Sequence, residues 1–262
     1  MSSIRHSAVA GLFYPGDPKV LSHDVRTLLA SAKAQFLTPK VLIVPHAGYI
    51  YSGAIAASAY AALGAGAEKI RRVVLLGPAH RVAVRGLALP GVDAFATPLG
   101  NIPLDDAAAQ SISHLPQIVL SPAAHAQEHS LEVQLPFLQT VLENFTLLPL
   151  VVGEATATEV AEVLDVLWGG DETLIVISSD LSHYVPYNVA QSVDSTTVQH
   201  VLRLEQPIAH EQACGATPIN GLLLAAKRHH LTPHLLDLRN SGDTAGSHDG
   251  VVGYAAFAFT EA

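Results

Sequence analysis

Val41-Leu42-Ile43-Val44-Pro45-His46-Ala47-Gly48-Tyr49 is the stretch whose reading decides the fold. Four apolar residues in a row, three of them β-branched, read as a strand buried on both faces. Pro45 and Gly48 then turn the chain, and His46 sits in the turn. The same sentence is written twice more. Val73-Val74-Leu75-Leu76 runs into Gly77-Pro78-Ala79-His80, and residues 173–177 run into Ser178-Ser179-Asp180-Leu181-Ser182-His183-Tyr184. Segments with helical spacing lie between such runs, at 53–63, 104–114, 131–143 (with a kink predicted at Pro136), 155–167, 190–204 and 219–229. Residues 147–152 and 251–259 read as further strands, and 86–96 as short strands or a hairpin. Strands alternating with helices predict an α/β fold with a central mainly parallel or mixed sheet flanked by helices. No repeat or linker interrupts the pattern, so one domain over residues 1–262 is expected.

Composition narrows the function. Of 262 residues, 49% are hydrophobic and 14% charged, against a usual charged share of about 25%. Disorder, a coiled coil and a basic nucleic-acid binder are excluded. The net charge of −9 argues against anionic partners. A single Cys excludes a disulfide framework and every multi-cysteine zinc or iron–sulfur motif. The opening residues reach Pro15-Gly16 without a long apolar core, so no signal peptide is expected. The stretch 41–67 lacks acids and bases but is rich in Ala and Gly, too weakly apolar for a membrane span. A cytoplasmic protein is the expectation.

Fourteen histidines ask for chemistry. Ligands of open α/β sheets bind beyond the carboxyl ends of the strands. His46, His80 and His183, each in a strand-end turn, are therefore placed to converge on one pocket. A single turn histidine is more often a hydrogen-bonded surface residue, and His6, His23, His114, His200, His210, His229, His230 and His234 are read that way, in loops or on polar helix faces. Glu128, His129 and Glu132 cluster where a helix is expected to begin. The acids there complement a helix N-terminus, or His129 binds an anionic oxygen. The spacing is not that of a zincin. Cys214 lies between Gly and Pro signals ahead of a helix, where a thiolate is favoured; a small buried hydrophobe is the alternative. Two imidazoles and one anionic ligand bind a divalent metal and leave positions open for substrate. Tyr49, Tyr51 and Tyr184 either shape an aromatic pocket or simply pack. The polar loop 240–249 either covers the site or is solvated.

The ordered motifs PHAGYIYSG, LGPAHR, TPLGNIPLD, EHSLEVQLPFL, SSDLSHY, ACGATPI and SGDTAGSHDGVVGYAA run from Tyr14 to Phe259. Together they resemble the MEMO1 family, also called AmmeMemoRadiSam system protein B. That family is similar in fold to the class III extradiol dioxygenases, which hold non-haem Fe(II) with two His and one carboxylate. In MEMO-type proteins a Cys takes the carboxylate's place. The resemblance implies His46, His80 and Cys214 as metal ligands, with Asp180 and His183 lining the pocket. It puts His183 in the place of a catalytic acid/base and His129 as a further pocket residue. Fe(II) is the implied metal, with copper and zinc as alternatives because thiolate is soft. The implied function is a metal-binding oxidoreductase acting on a small molecule, aromatic where the tyrosines shape the pocket. An AMMECR1-like protein and a radical SAM enzyme are its implied functional partners. Fold likeness does not transfer activity, so two alternatives stand beside it. One is a catalytically silent protein that binds a ligand or peptide in the same pocket. The other is a hydrolase with Cys214 as nucleophile and His183 as base.

Overall fold

A computed structural model of the chain describes residues 3–261 apart from 34 and 36. In chain order its strands are β1 (Ile4–Arg5), β2 (Val41–Val44), β3 (Arg72–Pro78), β4 (Leu87–Leu89), β5 (Ala94–Thr97), β6 (Gly100–Pro103), β7 (Ile118–Leu120), β8 (Thr146–Val152), β9 (Thr173–Ser178), β10 (His183–Val185), β11 (Thr232–Asn240) and β12 (Val251–Thr260). The helices are α1 (Pro18–Ser31), α2 (Tyr49–Ala61), α3 (Asp106–Ile112), α4 (Pro122–Ala126), α5 (Leu135–Val141), α6 (Ala157–Leu167), α7 (Tyr187–Leu202) and α8 (Ala216–Arg228).

The main sheet runs β10-β12-β2-β9-β3-β8-β4-β7, with β11 on the free side of β12. Its centre, β2-β9-β3-β8, is parallel, and β12–β2 and β8–β4 are antiparallel. The sheet is mixed and the fold is α/β. Both faces are covered, which is why the central strands are apolar without alternation. Val41, Ile43, Val74, Leu76, Ile175 and Ile177 point into a core shared with α3, α6 and α8. Leu42, Val44, Val73, Leu75, Leu174 and Val176 point into the opposite core, under α1, α2 and α5. Among the described residues no helix is long and apolar enough to cross a membrane.

Several elements depart from the sequence reading, each for a local reason. Pro136 does not kink a helix; a 3-10 turn over Glu132–Gln134 precedes it and α5 begins around it, where a missing N–H costs nothing. Of the two readings of 86–96, short strands form and a hairpin does not. β4 joins the main sheet, and β5 joins β1 and β6 in a separate three-stranded sheet. α1 hides behind Pro-Gly-Asp-Pro, which looks like a turn; Asp17 caps the helix by accepting from the N–H groups of Lys19 and Val20. β11 was masked by Pro233, which an edge strand tolerates, so His234 stands on a strand and not in a loop.

The α6–α8 contact depends on one glycine. A Cβ on Gly221 would lie 2.3 Å from the Cβ of Val160. Gly221→Ala is expected to destabilise the protein by about 1 to 3 kcal/mol through overpacking, and Val160→Ala in the same chain, which removes the Cγ1 also 2.3 Å from the added Cβ but keeps the Val160 Cβ, to recover only a small part of that loss. Urea denaturation midpoints of the three variants check it; equal midpoints for wild type and Gly221→Ala would refute the close approach.

Candidate metal centre

β2, β9 and β3 are neighbours, and each ends two residues before a polar side chain. His46 follows Val44, Asp180 follows Ser178 and His80 follows Pro78. Parallel neighbours of matched register place these side chains at one end of the sheet. Asp180 Oδ1 accepts the backbone N–H of His46 at 2.7 Å and so ties two of the turns together. Cys214 reaches the same place from the start of α8. Its N–H donates to the Asp180 carbonyl at 3.3 Å, and the next N–H, of Gly215, donates to Ser179 Oγ at 2.9 Å. A Cβ on Gly215 would sit 2.6 Å from that of Ser179, so the close approach of the cysteine turn needs glycine. His129 arrives in the turn after α4.

Hydrogen bonding settles the tautomer of His46. Ser178 Oγ donates its one hydrogen to the Ser130 carbonyl at 2.6 Å and accepts from Gln134 Nε2 at 2.8 Å. Towards His46 Nδ1, 2.9 Å away, it can therefore only accept. His46 carries its proton on Nδ1, and the Nε2 lone pair faces the site. Gln134 is itself oriented, accepting from Tyr60 at 2.9 Å and donating to the Pro45 carbonyl at 2.9 Å.

One ligand nitrogen from each of His46, His80 and His129 lies within 4.8 Å of the others, the one such group of three among the described residues. The rings meet edge-on or stacked, with centroids 5.3 Å (His46–His80), 5.5 Å (His46–His129) and 4.7 Å (His80–His129) apart. Cys214 is beside this group and not within it: its sulfur is 3.3 Å from His46 Nε2. Donors at about 2.0 to 2.3 Å from a common tetrahedral ion stand about 3.5 Å apart, so that pair fits a shared metal. His129 Nδ1 is buried with no hydrogen-bond partner, although Glu128 Oε1 lies 3.3 Å away; the contact is out of line for a hydrogen bond. An orphaned buried nitrogen beside two further imidazoles, one of them oriented by Ser178, and a sulfur is a donor set suited to a metal ion.

Burial sets the protonation states. It drives His46 well below the usual imidazole range, helped by the neighbouring His80 and His129. It lowers His129 to about 4 and moves His183 in the same direction. All three are neutral bases at pH 7. Burial raises Asp180 to about 7 against the pull of the His46 and Ala47 N–H groups and of His80. It pushes the Cys214 thiol up to about 12, with the charge of Asp180 adding to it. The helix terminus that the sequence reading credited with favouring a thiolate is outweighed. His46, His80, His129, Asp180 and His183 line one cavity of about 580 Å3, together with Phe13, Tyr51, Tyr184 and Tyr254. Of the tyrosines considered from sequence, Tyr49 is packed in the core, donating to the Val133 carbonyl at 2.8 Å. Ser241 and Gly246 of the 240–249 loop line the cavity, as does Gly250 just after it.

A family model described as Memo-like protein matches residues 5–258. The chain belongs to the MEMO1 family. A MEMO1 family protein of Aquifex aeolicus is 36% identical over 98% of this chain and 99% of its own length. One from Methanosarcina barkeri is 35% identical, over 97% and 98%. Among solved structures, an uncharacterized protein of Escherichia coli K12 shares the fold with a TM-score of 0.56 at 15% identity, over 83% of this chain and 98% of that one.

In this MEMO1 family member, sequence reasoning overlooked the residues that hold the imidazoles. Ser178 and Gln134 looked like a strand end and a helix residue. Glu128 and Glu132 looked like complements to a helix N-terminus. Both acids are fully buried instead, Glu128 against His80 and Glu132 against Arg5. A usable signal was present: two acids and a glutamine spaced among apolar residues, in a chain with so few charges.

Proposed function

We propose that the protein is a metal-dependent oxidoreductase related to the class III extradiol dioxygenases, with Fe(II) held by His46, His80 and the Cys214 sulfur and with His129 at the same centre. The observation that carries this reading is the meeting of three imidazoles and one thiol at the carboxyl end of the sheet. Copper and zinc suit the same donors. The substrate is a small molecule, aromatic in keeping with the rings of Phe13, Tyr51 and Tyr184 on the cavity wall. The setting is cytoplasmic, and an AMMECR1-like protein and a radical SAM enzyme are its functional partners.

The metal supplies Lewis acidity and redox chemistry with O2. The protein supplies placement and proton handling. His183 is a neutral imidazole facing the cavity, able to take a phenolic proton. Asp180, with a pKa of about 7, gains or loses a proton at physiological pH. Its Oδ2 lies 4.0 Å from His46 Nε2, so it is near the centre but free of His46's ring.

Anaerobic purification with metal analysis and oxygen uptake on a catechol panel tests the reading. Iron is expected with the wild-type chain, lost in His46→Ala and His80→Ala, and at least one catechol should drive oxygen uptake. Absence of metal in every preparation, with Cys214→Ser indistinguishable from wild type, refutes the centre. Saturable ligand binding weakened by His46→Ala and His183→Ala, without product under any metal or oxygen condition, would make the protein a silent binder using the same pocket.

A further inference from the structure

Glu128 is placed to do more than close a turn. Its side chain is 1% exposed, and four nitrogens converge on it. Oε2 accepts the backbone N–H of His80 at 2.6 Å. Oε1 accepts the N–H groups of His129 and Ser130, each at 2.9 Å, and lies 2.9 Å from His80 Nδ1. Three backbone donors that cannot be reversed point at one carboxylate, so the group is an acceptor throughout. The fourth nitrogen must then be a donor too. His80 is held with its proton on Nδ1 and its lone pair on Nε2.

We propose that Glu128 is the positioning residue of the metal centre, fixing the tautomer of His80 and the backbone of both His80 and His129, and lending the centre the negative charge that its imidazoles lack. The inference rests on the metal reading above but makes its own claim. Ser178 performs the matching service for His46 with a neutral hydroxyl, so Glu128 is the one anion hydrogen-bonded to a ligand ring among the described residues. An alternative is that Glu128 only stitches the turn at 128–130 to the end of β3. That role needs its bonds to backbone and is indifferent to which ring nitrogen of His80 carries the proton.

Long-range 1H–15N correlation spectra of the metal-free protein at neutral pH separate the two. In the wild type, His80 should show a protonated Nδ1 and a free Nε2. In Glu128→Gln, His80 should become a mixture of tautomers, and Co(II) titration should weaken by 10- to 100-fold, the usual effect of losing such an orienting carboxylate. Glu128→Asp should keep the Nδ1–H form and lose less affinity. A proton on His80 Nε2 in the wild type overturns the proposal, even if Glu128→Gln fails to fold. So does a Glu128→Gln protein that binds Co(II) within twofold of wild type. The tautomer is read without metal, so failure to find iron in the purified protein would count against the proposed function and leave this measurement standing.

Discussion

Glu132→Ala is expected to lower the unfolding free energy by about 3 to 5 kcal/mol, the range for breaking a buried ion pair from one side. Glu132 has no exposed surface and Arg5 is 7% exposed. The carboxylate pairs with Arg5 Nη1 and also accepts from the Tyr14 hydroxyl at 2.6 Å and from the N–H groups of Ala8 and Val9 at 2.8 and 3.0 Å. Alanine would leave a guanidinium and three other donors in the core with nothing to replace water. Arg5 in turn donates to the carbonyls of His125 and Glu128, at 3.0 and 2.7 Å, so the N-terminal segment is fastened to the turn that presents Glu128 and His129. Equilibrium denaturation should therefore show the loss, and metal affinity should fall alongside it. Because an apolar pair of similar volume avoids the stranded charge, Arg5→Met with Glu132→Leu should recover a minor part of the stability, with the Tyr14 hydroxyl and the N–H groups of Ala8 and Val9 still unpaired. A Glu132→Ala protein within about 1 kcal/mol of wild type would mean that water reaches Arg5.

What could be read from the sequence was whatever a short window determines. The apolar runs at 41–44, 73–76 and 173–177 needed only their own residues to be recognised as doubly buried strands, and the Pro- and Gly-bearing turns after them placed His46, His80 and Asp180 at strand ends. That the three strands are neighbours, in the order β2-β9-β3, is a property of the whole sheet. The roles of the acids depended on partners far along the chain. Glu128 meets a ring 48 residues away, and Glu132 a guanidinium 127 residues away; a local reading could only offer them to the nearest helix terminus. Cys214 failed in the same way and with the opposite sign. Its position ahead of α8 argued for an easily formed thiolate, whereas burial and the Asp180 carboxylate, 34 residues upstream, hold the proton on the sulfur.

That retained proton makes the ligand set measurable. At pH 8 and above, His46 and His129 are already neutral, so a metal that binds them displaces no proton. Asp180, at about 7, has completed its own titration. The thiol, at about 12, still carries its hydrogen. A metal that takes the sulfur as a ligand must release that hydrogen, and its dissociation constant should fall about tenfold for each unit of pH between about 8 and 9.5. The sign follows directly: fewer free protons favour the state that has lost one. Cys214→Ser should remove the slope and bind more weakly throughout the range. Zn(II) competition against a chelator, corrected for the chelator's own protonation, measures both. A wild-type affinity that stays flat over the same interval would mean that His46, His80 and His129 hold the ion among themselves. Cys214 would then be a neighbour that packs against His46, and the centre would be a three-imidazole site with Glu128 on the His80 ring and the Asp180 carboxylate 4.0 Å from His46 Nε2.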